Sequence, residues 1–344
     1  MKKEHLALAL IIVCLAGAVI GMFKTLKDPA RVEKVETRAD RESRLIGMLG
    51  KYDKIAIIRL NGMITDVESD TDFFLNSSPA ARARKYLNKA TKDKNVKGVL
   101  FRVNSPGGTV GASQEIYSAI LRCRKDKPVV VSMGDVAASG GYYVASAGDY
   151  IVANPGTITG SIGVILNALN FEQLMNKVGV KSHVVKSGEF KDIGSAYRSM
   201  TNKEQELLQG LINNTYDQFV DDIVKARLEM LDEKSQKDNK TNKLTEDELR
   251  KVADGRILTG QQAYEIGLID ELGDYEKARE ITVKLAQKRF KNVKDSIPVE
   301  IYDRPQTLSE YLVELTNNLK PEASFGIDLP FSAKNPNVPL WVME

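Results

Sequence analysis

Hydrophobic and polar positions follow two different periods along most of the chain, and this pattern predicts a mixed α/β protein. Short β-branched runs predict strands, whereas apolar residues at every third or fourth position predict helices between them. The predicted strands are KIAIIRL (54–60), VKGVLFRV (96–103), PVVVSM (128–133), YIVAN (150–154) and KSHVVK (181–186). Strands that alternate with helices are typical of βαβ units and of a mostly parallel sheet.

Beyond residue 200 the pattern becomes mainly helical. The stretch NKEQELLQGLINNTYDQFVDDIVKARLEML is long and amphipathic, and the polar stretch LDEKSQKDNKTNK predicts a loop. Further helices are predicted at TEDELRKVA, TGQQAYEIG and YEKAREITVKLAQK. Because no internal repeat is visible, we expect one folded domain over residues 52–319. Residues 320–344 are rich in proline and small side chains, which predicts an extended tail.

The N-terminal region has a different pattern from the rest of the chain. A five-residue flank, 1–5, precedes an uninterrupted apolar run at 6–23, which as a helix would be about 27 Å long and would span a bilayer core. The alternative is a cleaved signal peptide, because Ala16 to Ala18 resembles a cleavage site, but the apolar run continues beyond it. Lysines flank both ends, so charge does not predict an orientation. The charged residues 24–51 predict a linker.

Charge and cysteine content exclude several classes of function. The chain has 49 Lys and Arg residues against 46 Asp and Glu residues. It shows no basic cluster interleaved with aromatic residues, so we expect no nucleic-acid partner. Its two cysteines, Cys14 and Cys123, are too few for a disulfide framework and have no metal-ligand spacing. We therefore expect neither a metal nor a cofactor.

A candidate nucleophile lies in DVAASGGYYVASAGD, residues 135–149, where Ser139 stands between alanines and glycines. The strand-like run before it and the helix-like run after it predict a strand-to-helix turn, a common position for a nucleophile. A serine also needs a base and hydrogen-bond donors for the developing oxyanion. The N–H groups of Gly108, in the loop NSPGG, and of Gly140 are the candidate donors. The alternative is that both glycine loops only make tight turns.

The candidate base is a lysine, because histidine is nearly excluded by its positions. His5 lies at the predicted membrane boundary, and His183 lies in a predicted strand, where a half-exposed structural histidine is the more common situation. A lysine becomes a usable base when desolvation lowers its pKa. Lys191, in SGEFKDIGSAYRSMT, has the apolar residues Phe190 and Ile193 nearby. The alternative is an ordinary solvated loop lysine.

Five motifs in order resemble the signal peptide peptidase A family, the protease IV-like membrane-bound serine peptidases. These motifs are NSPGG, DVAASGGYY, NPGTITGSIGV, SGEFKDIGS and DGRILTGQQAYEIGLIDELG. The resemblance implies a catalytic dyad of Ser139 as nucleophile and Lys191 as general base, with Ser161 orienting the lysine amine. It also implies a crotonase/Clp-protease-like βαβ superhelix with additional C-terminal helices, preceded by a transmembrane helix.

The resemblance further implies the short, single-unit form of the family. We therefore expect a homo-oligomeric ring in which the dyad can be shared between subunits, with the catalytic domain on the extracytoplasmic side of the cell membrane. The implied substrates are hydrophobic peptides, namely signal peptides left in the membrane after preprotein cleavage. The apolar end of the tail, VPLWVME, is expected to occupy a substrate groove or to be clipped by the enzyme.

Three alternatives remain at this point. The same dyad could serve another protease in membrane-protein quality control. The same superhelix also carries coenzyme A hydratases and isomerases, because fold does not determine function. Those enzymes are generally soluble, so the predicted anchor and the ASGG and FKD motifs argue against them. A catalytically inactive scaffold is the third alternative, and the presence of both Ser139 and Lys191 argues against it.

Overall fold

A computed structural model describes residues 52–67, 78–229 and 244–302. The predicted flank, anchor, linker and tail, and the predicted polar loop after residue 230, lie outside these described residues. Within them, no helix combines the length and the apolar character that crossing a membrane requires.

The described residues form an eight-stranded sheet with the order β6-β5-β3-β2-β1-β8, in which β4 pairs with β3 and β7. Every pairing is parallel except the antiparallel pair of β5 and β6. The mostly parallel sheet predicted from the alternating pattern is therefore confirmed. The strands are β1 Lys54–Asn61, β2 Val96–Ser105, β3 Val129–Ala138, β4 Tyr150–Ala153, β5 Ile158–Gly160, β6 Ile257–Thr259, β7 Glu271–Leu272 and β8 Val299–Ile301.

Helices cover both faces of this sheet, as parallel sheets require. On β1, Ile58 and Leu60 pack into one apolar cluster with helices α1 and α2, whereas Ile55 and Ile57 pack into a second cluster with α8. A π-helical turn, Lys225–Glu229, continues α5. The helices are α1 Pro79–Lys92, α2 Val110–Asp126, α3 Gly140–Ser146, α4 Glu172–Lys177, α5 Asn202–Val224, α6 Glu246–Val252, α7 Gly260–Glu265 and α8 Tyr275–Arg289.

Strand β3 changes partner along its length, and this change positions the candidate nucleophile. Its first half pairs with β4, and its last residues pair with β5, where Ala138 lies opposite Gly160. The register of β2 against β3 shifts at Asn104, whose side-chain Oδ1 accepts a hydrogen bond from the Val136 N–H at 3.1 Å. The amide side chain thus replaces a backbone contact at the shift. The carboxyl end of β3, which leads to Ser139, therefore lies against β5 and not against β4.

One predicted strand is wrong. Residues 181–186, KSHVVK, form no strand, and all of them are exposed, including Val185, whose side chain is completely accessible. A β-branched run becomes a strand only when it pairs with a neighbour and buries one face, and these residues do neither in the described chain. His183 accordingly lies in irregular, exposed backbone rather than half-exposed on a strand.

Candidate active site

Ser139 occupies the turn between β3 and α3, as predicted. Its φ of 52° and ψ of −122° place it in a backbone region that residues other than glycine rarely adopt. Such a conformation costs about 1–3 kcal/mol and is typically retained at functional sites. The turn is held by two backbone hydrogen bonds: the Ser139 N–H donates to the Gly160 carbonyl at 2.8 Å, and the Ser139 carbonyl accepts from the Tyr143 N–H at 2.9 Å.

The Ser139 hydroxyl is fully buried and makes no hydrogen bond with any residue that the structure describes. Leaving a buried hydroxyl unpaired costs about 1–3 kcal/mol, so such groups are uncommon outside functional sites. The strained backbone and the unpaired hydroxyl therefore both single out this serine.

Two glycine loops pack against each other beside Ser139. A Cβ on Gly140 would lie 3.2 Å from the Gly108 backbone nitrogen and 2.6 Å from Ser113 Oγ, so only glycine allows this approach. Gly108 is restricted in the same way, because its Cβ would lie 2.0 Å from the Ile64 carbonyl oxygen. Within the described ranges, neither the Gly108 nor the Gly140 N–H donates a hydrogen bond. Both predicted donors are thus adjacent and available to an oxyanion.

Helix α3 is held rigidly in the core by two tyrosines that follow the nucleophile. The Tyr142 hydroxyl donates to the Leu268 carbonyl at 2.8 Å, and the Tyr143 hydroxyl donates to the Asp222 carboxylate of α5. Burial raises the pKa of both phenols, which keeps them protonated as donors. The Tyr143 ring also meets Phe219 edge to face, with centroids 5.0 Å apart. These contacts fix the helix that begins directly after Ser139.

Ser161 follows the end of β5, next to the nucleophile's strand. Its φ is 50°, its side chain is largely buried, and its N–H donates to the Arg256 carbonyl at 2.8 Å. Gly160, directly before it, also has a positive φ, so the chain turns sharply at these two residues. The structure therefore places the predicted orienting serine beside the predicted nucleophile.

Lys191 lies elsewhere in the described chain. It is exposed, within a series of turns, and makes no hydrogen bond with Ser139. Every residue between Ile162 and Glu204 is exposed or half-buried, so no part of this segment enters the core. The single chain thus brings together Ser139, Ser161, Gly108 and Gly140, but it does not bring Lys191 to them.

Sequence reasoning missed an ionic cluster beside Lys191. Arg198 bridges the carboxylates of Asp192 and Glu204, and Lys186 also contacts Asp192. The sequence signal that was available is the capping box TNKE, in which Thr201 and Glu204 begin helix α5. No comparable signal marks Arg198 or Lys186, because both come from irregular segments without periodicity.

The described residues contain no group of three or more histidine, cysteine, aspartate or glutamate side chains arranged to hold a metal ion. His183 is exposed in the segment that carries Lys191. Neither of the two bases considered from the sequence in the described chain, His183 and Lys191, is buried.

Two family models match this chain. The model of peptidase family S49 matches residues 122–289, which include the candidate nucleophile and Lys191. The Clp protease model matches residues 75–156, which include both glycine loops. The predicted Clp-protease-like α/β character of the fold is therefore confirmed.

Curated relatives agree with these matches. A putative protease of Synechocystis sp. is 44% identical over 210 residues, covering 60% of this chain and 70% of the relative. A putative protease of Methanocaldococcus jannaschii is 41% identical, covering 66% of this chain and 65% of the relative. A putative signal peptide peptidase of Enterococcus faecium is 34% identical, covering 72% of this chain and 66% of the relative.

The fold and the site define a serine-type hydrolase built on a mostly parallel sheet, and the comparisons specify the family to which it belongs. The chain belongs to peptidase family S49 and is a serine peptidase similar to signal peptide peptidase A. The family resemblance and the enzyme class predicted from the five motifs are therefore confirmed.

Proposed function

We propose that this serine peptidase is a membrane-anchored endopeptidase that uses Ser139 as nucleophile and Lys191 as general base to degrade remnant signal peptides. The observation that carries the proposal is the buried, unpaired Ser139 hydroxyl on a strained strand-to-helix turn, beside the free N–H groups of Gly108 and Gly140.

The geometry supports acyl transfer in two steps. Ser139 Oγ attacks the substrate carbonyl carbon while the neutral Lys191 amine takes the hydroxyl proton. The carbonyl oxygen becomes an oxyanion, which the Gly108 and Gly140 N–H groups stabilise. The resulting ammonium then gives its proton to the leaving amine, and water hydrolyses the acyl-enzyme by the reverse sequence of proton transfers. Ser161 supports the reaction by orienting the lysine amine.

A second copy of the chain is the source of Lys191 in this proposal. The segment between Ile162 and Glu204 lacks a buried residue and exposes many large apolar side chains, an unusual surface for a monomer. Packing this segment against a neighbour would bury those side chains and would desolvate the lysine. The exposed apolar residues are Ile165, Leu169, Phe171, Leu174, Val178, Val180, Val184, Val185, Phe190, Tyr197 and Met200. We therefore propose a homo-oligomeric ring with a shared dyad.

The membrane location and the substrate class rest on the sequence. The apolar run 6–23 supports a single-pass anchor in the cell membrane with the catalytic domain on the extracytoplasmic side. An anchored peptidase meets membrane-retained apolar peptides at high effective concentration. The name of the E. faecium relative, a putative signal peptide peptidase, supports signal peptides as the substrate class.

Labelling with a fluorophosphonate, which traps an activated serine, tests the proposal. The wild-type protein in detergent should be labelled at Ser139, and Ser139→Ala should not be labelled. Ser146→Ala is the matched control, because this buried serine lies in the same helix and its hydroxyl only donates to the Tyr143 carbonyl. Labelling of Ser139→Ala at the wild-type rate would reject the nucleophile. A preparation whose Ser139 is reactive towards the probe should also cleave a synthetic signal peptide before the probe is added, and absence of that cleavage would reject the substrate class.

A further inference from the structure

The loop that carries Lys191, residues 188–195, contains no buried residue. Its turns are closed by three backbone hydrogen bonds: Lys191 N–H to the Gly188 carbonyl, Ile193 N–H to the Phe190 carbonyl, and Ser195 N–H to the Asp192 carbonyl, at 3.2, 3.0 and 3.1 Å. Isolated turns of this kind are weakly stable without packing. These three bonds alone are therefore a weak constraint on the loop.

Asp192, the residue after Lys191, has both carboxylate oxygens bound by cations. The Arg198 Nε donates to Oδ2 and the Arg198 Nη2 donates to Oδ1, each at 2.8 Å. The Lys186 Nζ donates to Oδ1 at 2.5 Å and also to the Glu189 carbonyl at 2.8 Å. A two-point guanidinium–carboxylate pair fixes both direction and distance, unlike a single point contact. The carboxylate of Asp192 is thus held in one orientation.

Arg198 is itself fixed by Glu204, at the N-terminus of helix α5. The Arg198 Nη1 donates to Glu204 Oε2 at 2.8 Å, and its Nη2 also contacts the other carboxylate oxygen. Glu204 is buried, with only 2% of its side chain exposed, and it accepts the Thr201 N–H at 2.9 Å. The hydrogen bonds from Arg198 and Thr201 hold the pKa of Glu204 at about 2, so the carboxylate is ionised at neutral pH.

The contact with Asp192 is not needed for the helix cap. Thr201 and Glu204 satisfy the first turn of α5 through their reciprocal hydrogen bonds, as Thr245 and Glu248 do at α6 without an arginine between two carboxylates. The additional bonds of Arg198 therefore have a different consequence. They connect a residue fixed in the helix to the residue next to Lys191.

We propose that Arg198 is a positioning residue, which locks the Lys191 loop to helix α5 by bridging Asp192 and Glu204. This inference rests on the proposed function, in which Lys191 is the base. In a shared site, the lysine that one copy supplies to its neighbour would then already be held in one position. Reacting groups must be aligned closely, and a displacement of about 1 Å can cost about 100-fold in rate.

A double-mutant cycle on hydrolysis of a fluorogenic peptide tests this bridge. Arg198→Ala and the isosteric Asp192→Asn should each lower kcat by about 10- to 100-fold with KM changed less than about threefold. The double variant should be about as slow as the slower single variant, because both remove the same contact. Arg198→Lys keeps the charge but cannot bridge both carboxylates, so its kcat should stay near that of Arg198→Ala. Arg279→Ala, which removes an exposed pair with Glu276, is the matched control and should have the wild-type kcat.

Several outcomes would overturn the proposal that Arg198 positions Lys191. Multiplicative effects of the two substitutions, full activity of Asp192→Asn, or full recovery in Arg198→Lys would each show that the bridge does not position the base. Amide hydrogen exchange gives a second readout that does not depend on turnover. In Arg198→Ala the amides of Lys191, Ile193 and Ser195 should exchange faster than in the wild type, and unchanged exchange would also overturn the proposal.

The failure of this inference is distinguishable from failure of the proposed function. If the wild-type protein is not labelled by the fluorophosphonate at Ser139, the proposed function fails. If the wild-type protein is labelled and Arg198→Ala is labelled at the same rate, only the positioning role of Arg198 fails.

Discussion

Ser139 and Ser161 follow directly paired residues of two adjacent parallel strands, since Ala138 of β3 lies opposite Gly160 of β5. Both serines have a φ near +50°, at 52° and 50°. Neighbouring strands lie about 4.8 Å apart, so the two residues are side by side at the carboxyl edge of the sheet. The backbone bond from the Ser139 N–H to the Gly160 carbonyl joins the two turns directly. A change at one turn is thus expected to affect the other.

The first prediction concerns Ser161. If its hydroxyl orients the Lys191 amine, Ser161→Ala should lower kcat by about 10- to 1,000-fold, within the range of general-base contributions. Steady-state hydrolysis of a fluorogenic peptide measures this effect. Ser161→Ala with unchanged turnover would show that Ser161 only serves the turn after β5.

The second prediction uses two glycines that differ in their surroundings. A Cβ at Gly108 would lie 2.0 Å from the Ile64 carbonyl oxygen, so Gly108→Ala must displace the loop and one oxyanion donor. Loss of such a donor typically costs about 100- to 1,000-fold in kcat. Gly111→Ala is the control, because its Cβ would have no heavy atom within 4 Å and alanine favours the helix. Equal activity of both variants would argue against Gly108 as a donor.

The third prediction concerns the shared dyad. Lys191→Ala and Lys191→Arg should both be inactive, because a guanidinium does not release its proton in proteins. Mixing Ser139→Ala with Lys191→Ala should restore part of the activity if one subunit supplies the serine and its neighbour the lysine. Peptide hydrolysis after verified mixed assembly measures this recovery. No recovery would support a dyad within one chain, and an active Lys191→Arg would reject lysine as the base.

The fourth prediction is the response of the Arg198 bridge to acid. The pKa of Glu204 is lowered from its ordinary 4.5 to about 2 in the folded chain, chiefly by its hydrogen bond with Arg198. Because this pKa is lowered on folding, the contribution of the Glu204 carboxylate to the stability of the folded chain is fully present above about pH 4.5. It is lost as the pH falls through about 2. The pKa of Asp192 is lowered in the same direction by Arg198 and Lys186. The protection of the amides at 188–195, measured relative to their intrinsic exchange rate at each pH, should therefore fall between these pH values.

Glu204→Gln provides the comparison for this acid response. The side-chain amide that this substitution introduces cannot ionise. In the variant, the protection of the backbone amides at 188–195 should therefore already be low at neutral pH, and it should change less between pH 4.5 and 2. An identical pH profile in the variant and in the wild type would show that Glu204 does not hold the loop.

Sequence patterns predicted most of the sheet and the nucleophile turn. The β-branched runs at 54–60, 96–103, 128–133 and 150–154 all became strands, because each has neighbours on both sides and buries its apolar residues. The turn at Ser139 was predictable because small residues directly after a buried strand leave room for close backbone approaches. The adjacency of Gly108 and Gly140 was only a hypothesis, since it depends on two loops distant in sequence.

Local pattern therefore determined the strand-forming runs, the capping boxes and the small-residue turns, because these depend on neighbours within a few positions. The tertiary structure decided the rest. It left KSHVVK without a strand partner, split β3 between two neighbours, set Ser161 beside Ser139, and joined Arg198 to Asp192 and Glu204. Each of these outcomes depends on which surfaces meet after chain folding, and pairing and burial between distant segments have no local signal.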